Sequence, residues 1–506
     1  MQDWWIVTAI TVTYLVVVLV IGLRARDQDS STLEGYVAGN RNIGLFILFF
    51  IMGAEIFSAF AFLGGPGWTY GKGAPGFYIL AYLGLGLLPW WVLGPKAARL
   101  GRKYGYLTQA DLMSDRFSSR TLSAIIAVVS VGAFIPYLTV QITGAGLLFE
   151  YSTDGNVPFW LGALAAFLIV TIYVYASGLR GIGWTNVVQG IIMVIVAWLI
   201  GLAVANRFYG GVGDMFRQIQ AEAPEYLTLP GVDGLGWAAF SSAILVSSIG
   251  FTMWPHLFMK SYGADSDKSI KKTIVIYPLY GYLLIPVFII GFAGILVLED
   301  SPLSNPDDVL PELVVNVANF SPWLVGVMLS GALAAAMSTG SNLAHTASTV
   351  LVRDLFVAVF KRDMPEKDVV RLTRVFVVVL SVLAYGLALL NPASLVDLLL
   401  GAYGAVVQFF PLIVAVFFWK RATTAGAYAG LVSGSLVTVL FTFFMAPPFE
   451  IHAGIWGLVV NTVLLVGVSL VTRPMAADHV ERFVEGSKAP VADVAVGATR
   501  TGPATR

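Results

Sequence analysis

Thirteen stretches of this chain are long and apolar enough to cross a lipid bilayer, and that feature limits everything else the chain can be. Uncharged runs bounded by charged residues or by Pro and Gly clusters fall at about 4–23, 43–63, 76–94, 121–148, 158–176, 183–206, 237–259, 273–298, 322–346, 372–391, 395–418, 423–446 and 452–471. They lie near the roughly 20 residues that a helix needs to span a hydrocarbon core. No water is available there to satisfy a free backbone group, so a run of this length crosses as a helix. The expected fold is all-α and polytopic, with about thirteen transmembrane helices. The first run is expected to be kept as a helix rather than cleaved as a leader, because Met1-Gln2-Asp3 brings no Lys or Arg ahead of it. Composition excludes a soluble alternative. Of the 506 residues 57% are hydrophobic and 12% are charged, about half the charge of an ordinary soluble domain, too little to cover a core of this size.

Positive charge orients the spans, because Lys and Arg collect on the cytoplasmic side. The loops after runs one, three, five, seven, nine and eleven, with the C-terminal tail and with Arg374 at the start of run ten, hold 27 of the 30 basic residues. The opposite loops hold Lys72, Arg207 and Arg217, and the 299–321 loop carries five acids and no base. The N-terminus is thus expected outside and the C-terminus in the cytoplasm. The 30 acidic residues balance the 30 basic ones, so nothing points to nucleic acid.

An enzyme is not expected. The histidines, His256, His345, His452 and His479, are scattered, and no two stand at metal-ligand spacing on one run. There is no cysteine, and no Ser/His/Asp arrangement can be built locally. The loops are too short for a separate catalytic domain. Thr108–Phe117 reads as a short cytoplasmic surface helix capped by Thr108. The tail reads as disordered, with an Ala/Val/Gly/Thr/Pro stretch from Pro490 to Arg506.

Ionisable groups within a membrane are costly and mark function. Among the acids only Glu55 lies well inside a run, in Gly53-Ala54-Glu55-Ile56-Phe57-Ser58. A protonated or paired carboxyl joining two helices is one reading. The other is a helix broken at mid-membrane, where freed carbonyls line a cavity or hold an ion. In the ninth run Ala335, Ser338 and Thr339 stand at i, i+3 and i+4 on one face. Two hydroxyls and a carbonyl offer the oxygen ligands a hard cation prefers, although small residues also dress ordinary helix packing. Tyr137 and Gln141 share a face of the fourth run, and Trp254-Pro255-His256 ends the seventh.

These residues resemble the solute:sodium symporter family over nearly the whole chain up to the tail. The resemblance is carried by Ser177-Gly178-Leu179-Arg180-Gly181-Ile182-Gly183-Trp184-Thr185-Asn186-Val187-Val188-Gln189, by Pro255-His256 ahead of what reads as a Lys-bearing loop, and by Gly331 to Thr339 running on to Arg353-Asp354. It implies a LeuT-like core of two inverted five-helix repeats. The expected organisation is an extra N-terminal helix with its cytoplasmic loop over 1–42, a first repeat over 43–206 and an external loop over 207–236. A second repeat over 237–418, two peripheral helices over 419–472 and the tail 473–506 follow. Runs two and seven would be the broken helices, the latter breaking at Gly250.

The resemblance also implies a sodium site made of the carbonyls of Gly53, Ile56 and Ala335 with the hydroxyls of Ser338 and Thr339. Some members hold a second sodium on an aspartate where this chain has Asn186, so one Na+ is expected. The segments around Glu55 and Tyr137 look most like the monocarboxylate permease branch, and Gly64-Gly65-Pro66-Gly67 resembles the pantothenate symporters. The expectation is sodium-coupled symport of a short carboxylate by alternating access across the inner (plasma) membrane. The expected substrate pocket is Glu55, Ser58, Tyr137, Gln141 and Trp254. An ionised Glu55 would repel such a substrate, so Glu55 is expected to be protonated, to pair with an amide, or to bind a co-transported proton. A proton-coupled carrier on the same fold, a symporter for pantothenate or proline, a channel and a transporter-like sensor are the alternatives.

Overall fold

The computed structural model describes residues 3–25, 31–55, 57–232, 236–282, 285–361, 363–390 and 395–488. Among these, regular structure is helical, apart from an isolated bridge between Ile43 and Ala264. Among the described residues ten helices are long and apolar enough to cross a membrane, or eleven if a pair bent by 50°, Ala74–Gly86 with Trp90–Tyr104, is one span. Their outer faces expose large apolar side chains, among them Leu85, Val128, Leu168, Ile195, Val382, Leu436 and Val463. Lipid accepts such a surface and water does not, which makes this a multi-pass membrane protein.

Two differences from the thirteen apolar runs have local causes. Runs five and six form one continuous helical stretch, Phe159–Tyr209, of 51 residues. At roughly 1.5 Å per residue it is more than twice the length a bilayer core needs, and it kinks at Gly178, where φ is +60°. A Cβ there would also lie 2.5 Å from the Tyr36 carbonyl oxygen, so only glycine fits the corner. Run two is not one helix. Leu45–Ala54 stops, Glu55 is in a turn, Phe57 and Ser58 are non-helical, and helix resumes from Ala59 through Phe60–Gly64 to Gly65–Lys72.

Run seven is also interrupted, but not at Gly250. Trp237–Phe251 ends, Thr252 to Trp254 turn, and Pro255–Gly263 begins with proline in its first turn. Proline's fixed φ suits a helix start and forbids continuation from the previous turn. Gly250 serves close packing instead, since a Cβ there would sit 3.1 Å from the Tyr403 ring. The restarted helix runs past the expected loop boundary and takes Lys260 with it into the interior, where Lys260 is 1% exposed.

Pro322–Val350 is the central element. Every residue from Met328 to Val350 is buried, and the helix packs on Trp4–Arg24, Arg120–Ser152 and Phe159–Tyr209. The two helices after the core, Thr424–Phe443 and Ala453–Val471, meet through glycines. A Cβ on Gly457 would lie 2.5 Å from the Gly434 carbonyl, the close approach that small residues allow between membrane helices. Gln408 pins this pair to the core, its amide donating to the Thr438 hydroxyl and the Gly454 carbonyl at 3.1 and 3.0 Å.

Two peripheral segments are less open than expected. Gln109–Arg116 has the Thr108 cap, closed with Asp111 as a reciprocal capping box. It is not a surface helix, for Gln109, Leu112, Met113 and Arg116 are all buried. The tail, expected to be disordered from 473, forms Ala477–Val484, whose Val480, Phe483 and Val484 are buried. Arg99 donates to the carbonyls of Ser487 and Lys488, at 3.1 and 2.9 Å. The low-complexity end of the tail lies outside the described residues.

Candidate cation and solute site

The break in run two leaves backbone groups without helical partners, and the neighbouring elements supply them. The Ala59 N–H, where helix resumes, donates to Oε1 of Gln141 at 2.9 Å, and the Gln141 amide donates to the Tyr137 carbonyl at 3.2 Å. Gln141 therefore holds the break in shape. On the other side of the break, the Glu55 N–H turns back to the Gly53 carbonyl. A Cβ on Gly53 would meet the Tyr280 ring at 2.8 Å.

The oxygen face of Pro322–Val350 lies directly against this break. The Ser338 hydroxyl donates to the Ala54 carbonyl at 2.9 Å and to the Ala335 carbonyl at 3.0 Å. The Thr339 hydroxyl donates to the Glu55 carbonyl in a short hydrogen bond. Five oxygens from two helices far apart in sequence thus converge: the carbonyls of Ala54, Glu55 and Ala335 and the hydroxyls of Ser338 and Thr339. The Gly53 carbonyl, also expected among the ligands, accepts the Glu55 N–H, and Ile56 lies outside the described residues. The donor set suits a hard monovalent cation, as neutral oxygens replace a hydration shell without fixing a high charge.

The Glu55 side chain points the other way, toward Pro255–Gly263. Its carboxylate forms a buried ion pair with Lys260 and lies 3.0 Å from Nε2 of His256. All three side chains are 6% exposed or less. Of the readings of this acid, the paired carboxyl joining two helices is the one seen, and its partners are a lysine and a histidine rather than an amide. Sequence reasoning missed Lys260 because a lysine after an apolar run counts as a loop residue under the positive-inside rule. The available signal was its spacing: His256 and Lys260 are i and i+4, one face of a helix begun by Pro255.

Above the ion pair lies a cup of aromatic rings. Trp254 has Tyr137, Phe134, His256 and Tyr403 around it at centroid distances of 5.2 to 5.7 Å. Tyr82 lies 5.6 Å from Tyr403. Ser58 is buried at the restart of the broken helix. The expected pocket residues are thus divided: Tyr137 and Trp254 form the cup, Gln141 frames the break, and Glu55 is engaged below.

The 299–321 loop is folded inward. Asp307, 3% exposed, accepts the Leu395 N–H at 3.0 Å and lies against Gly67. Burial raises its pKa to about 6, against the opposing effect of that hydrogen bond.

Broken helices around a buried oxygen site and an aromatic cup define a membrane carrier with a LeuT-like fold. Residues 36–434 match the sequence profile of the sodium:solute symporter family, and this chain belongs to that family. An uncharacterized symporter, YhjB, of Bacillus subtilis is 34% identical, covering 91% of this chain and 96% of its own. The sodium/proline and sodium/pantothenate symporters of Escherichia coli are each 30% identical, over 93% and 85% of this chain and 94% and 89% of theirs. A Na+-coupled sialic acid symporter, solved in a substrate-bound outward-open state, superposes with a TM-score of 0.79 at 18% identity. It covers 93% of this chain and 99% of its own, a likeness of fold.

Proposed function

We propose that this protein is a sodium-coupled symporter of a small organic carboxylate, working by alternating access in the plasma membrane. The observation that carries the reading is the pair of hydroxyls, Ser338 and Thr339, seated on the carbonyls freed at Ala54 and Glu55. A bound Na+ would take these oxygens with the Ala335 carbonyl, and so tie the broken helix to Pro322–Val350. Binding would favour the conformation in which the two helices touch, which is how an ion shifts a two-state equilibrium. Return to the cytoplasmic side would draw on the membrane potential, worth about 2.3 kcal/mol per charge per 100 mV.

The solute would sit in the cup of Tyr137, Trp254 and Ser58, between the broken helices. The wider arrangement is thirteen crossings in a five-plus-five inverted repeat, with the N-terminus outside. The corner at Gly178 supports two crossings in Phe159–Tyr209, and the helix ends at Ala54 and Phe251 support a broken helix in each repeat. With Asn186 at the position of the second acidic ligand, one sodium per cycle is proposed.

A second reading is favoured by one observation. Glu55, His256 and Lys260 are a buried titratable group that a proton-coupled carrier would need. Purified protein in liposomes separates the two. Short carboxylates, pantothenate, proline and sugars are offered with sodium and proton gradients imposed in turn. Concentrative uptake of a carboxylate under a sodium gradient alone supports the proposal; uptake under a proton gradient alone supports the second reading.

A further inference from the structure

Glu55 belongs to two sites at once. Its backbone carbonyl is one of the five oxygens at the candidate cation site, and its carboxylate is the counter-charge of Lys260. The elements packed around Pro255–Gly263 carry other charged groups, and these have partners of their own. Arg99 and Arg102 are paired with Asp267, and Arg41 with Glu34. Nε2 of His345 lies 3.0 Å from the Tyr36 carbonyl.

The charges of Glu55 and Lys260 therefore sum to zero, and that sets a condition on what can bind. A sodium ion alone, seated on the Glu55 carbonyl, would add a positive charge with nothing to balance it. A carboxylate alone would compete for Lys260 and leave Glu55 unpaired. Either event buries an uncompensated charge, which is strongly unfavourable. Together they cost nothing of this kind, because the sodium charge beside Glu55 offsets its carboxylate while the incoming carboxylate takes Lys260. His256 joins the ion pair to the aromatic rings. His256 stacks on Trp254 at 5.6 Å and lies 5.8 Å from Phe134 at the base of the aromatic cup. Its Nδ1 is buried and has no hydrogen-bond partner, and Lys260 lies one helical turn beyond it.

The geometry points to Lys260, with His256, as the recognition site for the solute's carboxylate, made available when a sodium ion on the Glu55 carbonyl balances the Glu55 carboxylate. The exchange of Glu55 for the solute at Lys260 is the coupling step. The solute is then a monoanion whose apolar part fits among Trp254, Tyr137 and Phe134. This inference rests on the sodium–carboxylate reading above and adds the residue that binds the anion.

Binding of 22Na+ to the purified full-length protein, with and without propionate, pyruvate, L-proline or pantothenate, and with propionamide as the uncharged control, tests it. For the wild type, the responding carboxylate is expected to tighten 22Na+ binding roughly tenfold or more, within the usual range of coupling between sites, and propionamide is expected to do nothing. Lys260→Met is expected to bind 22Na+ without any carboxylate at least as tightly as wild type, and to lose the response. Lys260→Arg is expected to keep it. If Lys260→Met does not fold, the charge-balanced Glu55→Gln/Lys260→Met variant, monodisperse on a sizing column, must also lose the response. A folded variant without Lys260 that keeps the full response overturns the inference and leaves sodium-coupled carboxylate transport standing. So does a wild-type response to an uncharged solute only. Absence of any specific 22Na+ binding to wild type overturns the sodium reading and this inference with it.

Discussion

The Glu55–Lys260 pair permits a prediction whose size follows from burial and contact. Glu55 is 2% exposed and Lys260 1%, so neither charge has solvent to fall back on once its partner is removed. The cost of removing one partner is capped by the cost of neutralising the other. A lysine with an ordinary value near 10.4 costs about 1.36 kcal/mol per pH unit to deprotonate, or about 4.6 kcal/mol at pH 7. A glutamate near 4.3 costs about 3.7 kcal/mol to protonate at the same pH. Glu55→Gln should thus destabilise the protein by about 3–5 kcal/mol and Lys260→Met by about 3–4 kcal/mol, the range seen when a buried pair loses one member. The double variant has no charge to bury and should cost less than either. The pH dependence separates the singles. The penalty of Glu55→Gln should shrink as pH rises, because its orphan is an ammonium, and that of Lys260→Met should shrink as pH falls. Denaturation of the detergent-solubilised variants from pH 6 to 8, as a double-mutant cycle, reads all of this. Single penalties below about 1 kcal/mol that simply add would refute the pair as described.

Two further outcomes follow from Gln141 and from Asp307. Gln141→Leu should destabilise by about 1–3 kcal/mol, the cost of a buried N–H left unpaired at Ala59, while Gln141→Glu, which keeps the acceptor, should retain more sodium-dependent uptake than Gln141→Leu. Asp307 has its pKa raised to about 6, so its contribution is greatest below the ordinary carboxyl value near 4 and is lost as pH rises through 6. A shift of about two units amounts to about 3 kcal/mol. Hydrogen exchange of the 306–317 amides should accelerate between pH 4 and 6 beyond the intrinsic rate, and Asp307→Asn should abolish the excess.

What could be read from the sequence was what local chemistry dictates. Apolar runs reveal spans because a bilayer imposes length and composition on each one separately. The oxygen face was legible because Ala335, Ser338 and Thr339 are neighbours on one helical turn. What they face was not, since Ala54 and Glu55 lie about 280 residues away in the chain and only packing brings them there. Lys260 was hidden for the same reason, its partner being 205 residues earlier; charge counting placed it in a loop although Pro255 had already started a helix. Gly250 misled because a glycine inside an apolar run signals a break and a close approach equally well, and here Tyr403 uses the space. The helix in the tail was concealed by its shortness, although Val480, Phe483 and Val484 stand at i, i+3 and i+4.

The central claim is that the oxygens at Ala54, Glu55, Ala335, Ser338 and Thr339 bind sodium, and it needs no knowledge of the solute to be tested. The thermal midpoint of the purified protein is measured in sodium, potassium and choline chloride at equal ionic strength. A ligand at 100 times its Kd stabilises by about 2.7 kcal/mol, so the account predicts a rise specific to sodium in the wild type. It predicts that the rise is lost in Ser338→Ala and Thr339→Val, whose midpoints in choline stay within a few degrees of wild type. A midpoint indifferent to the cation, or a sodium-specific rise that both variants keep in full, would contradict it.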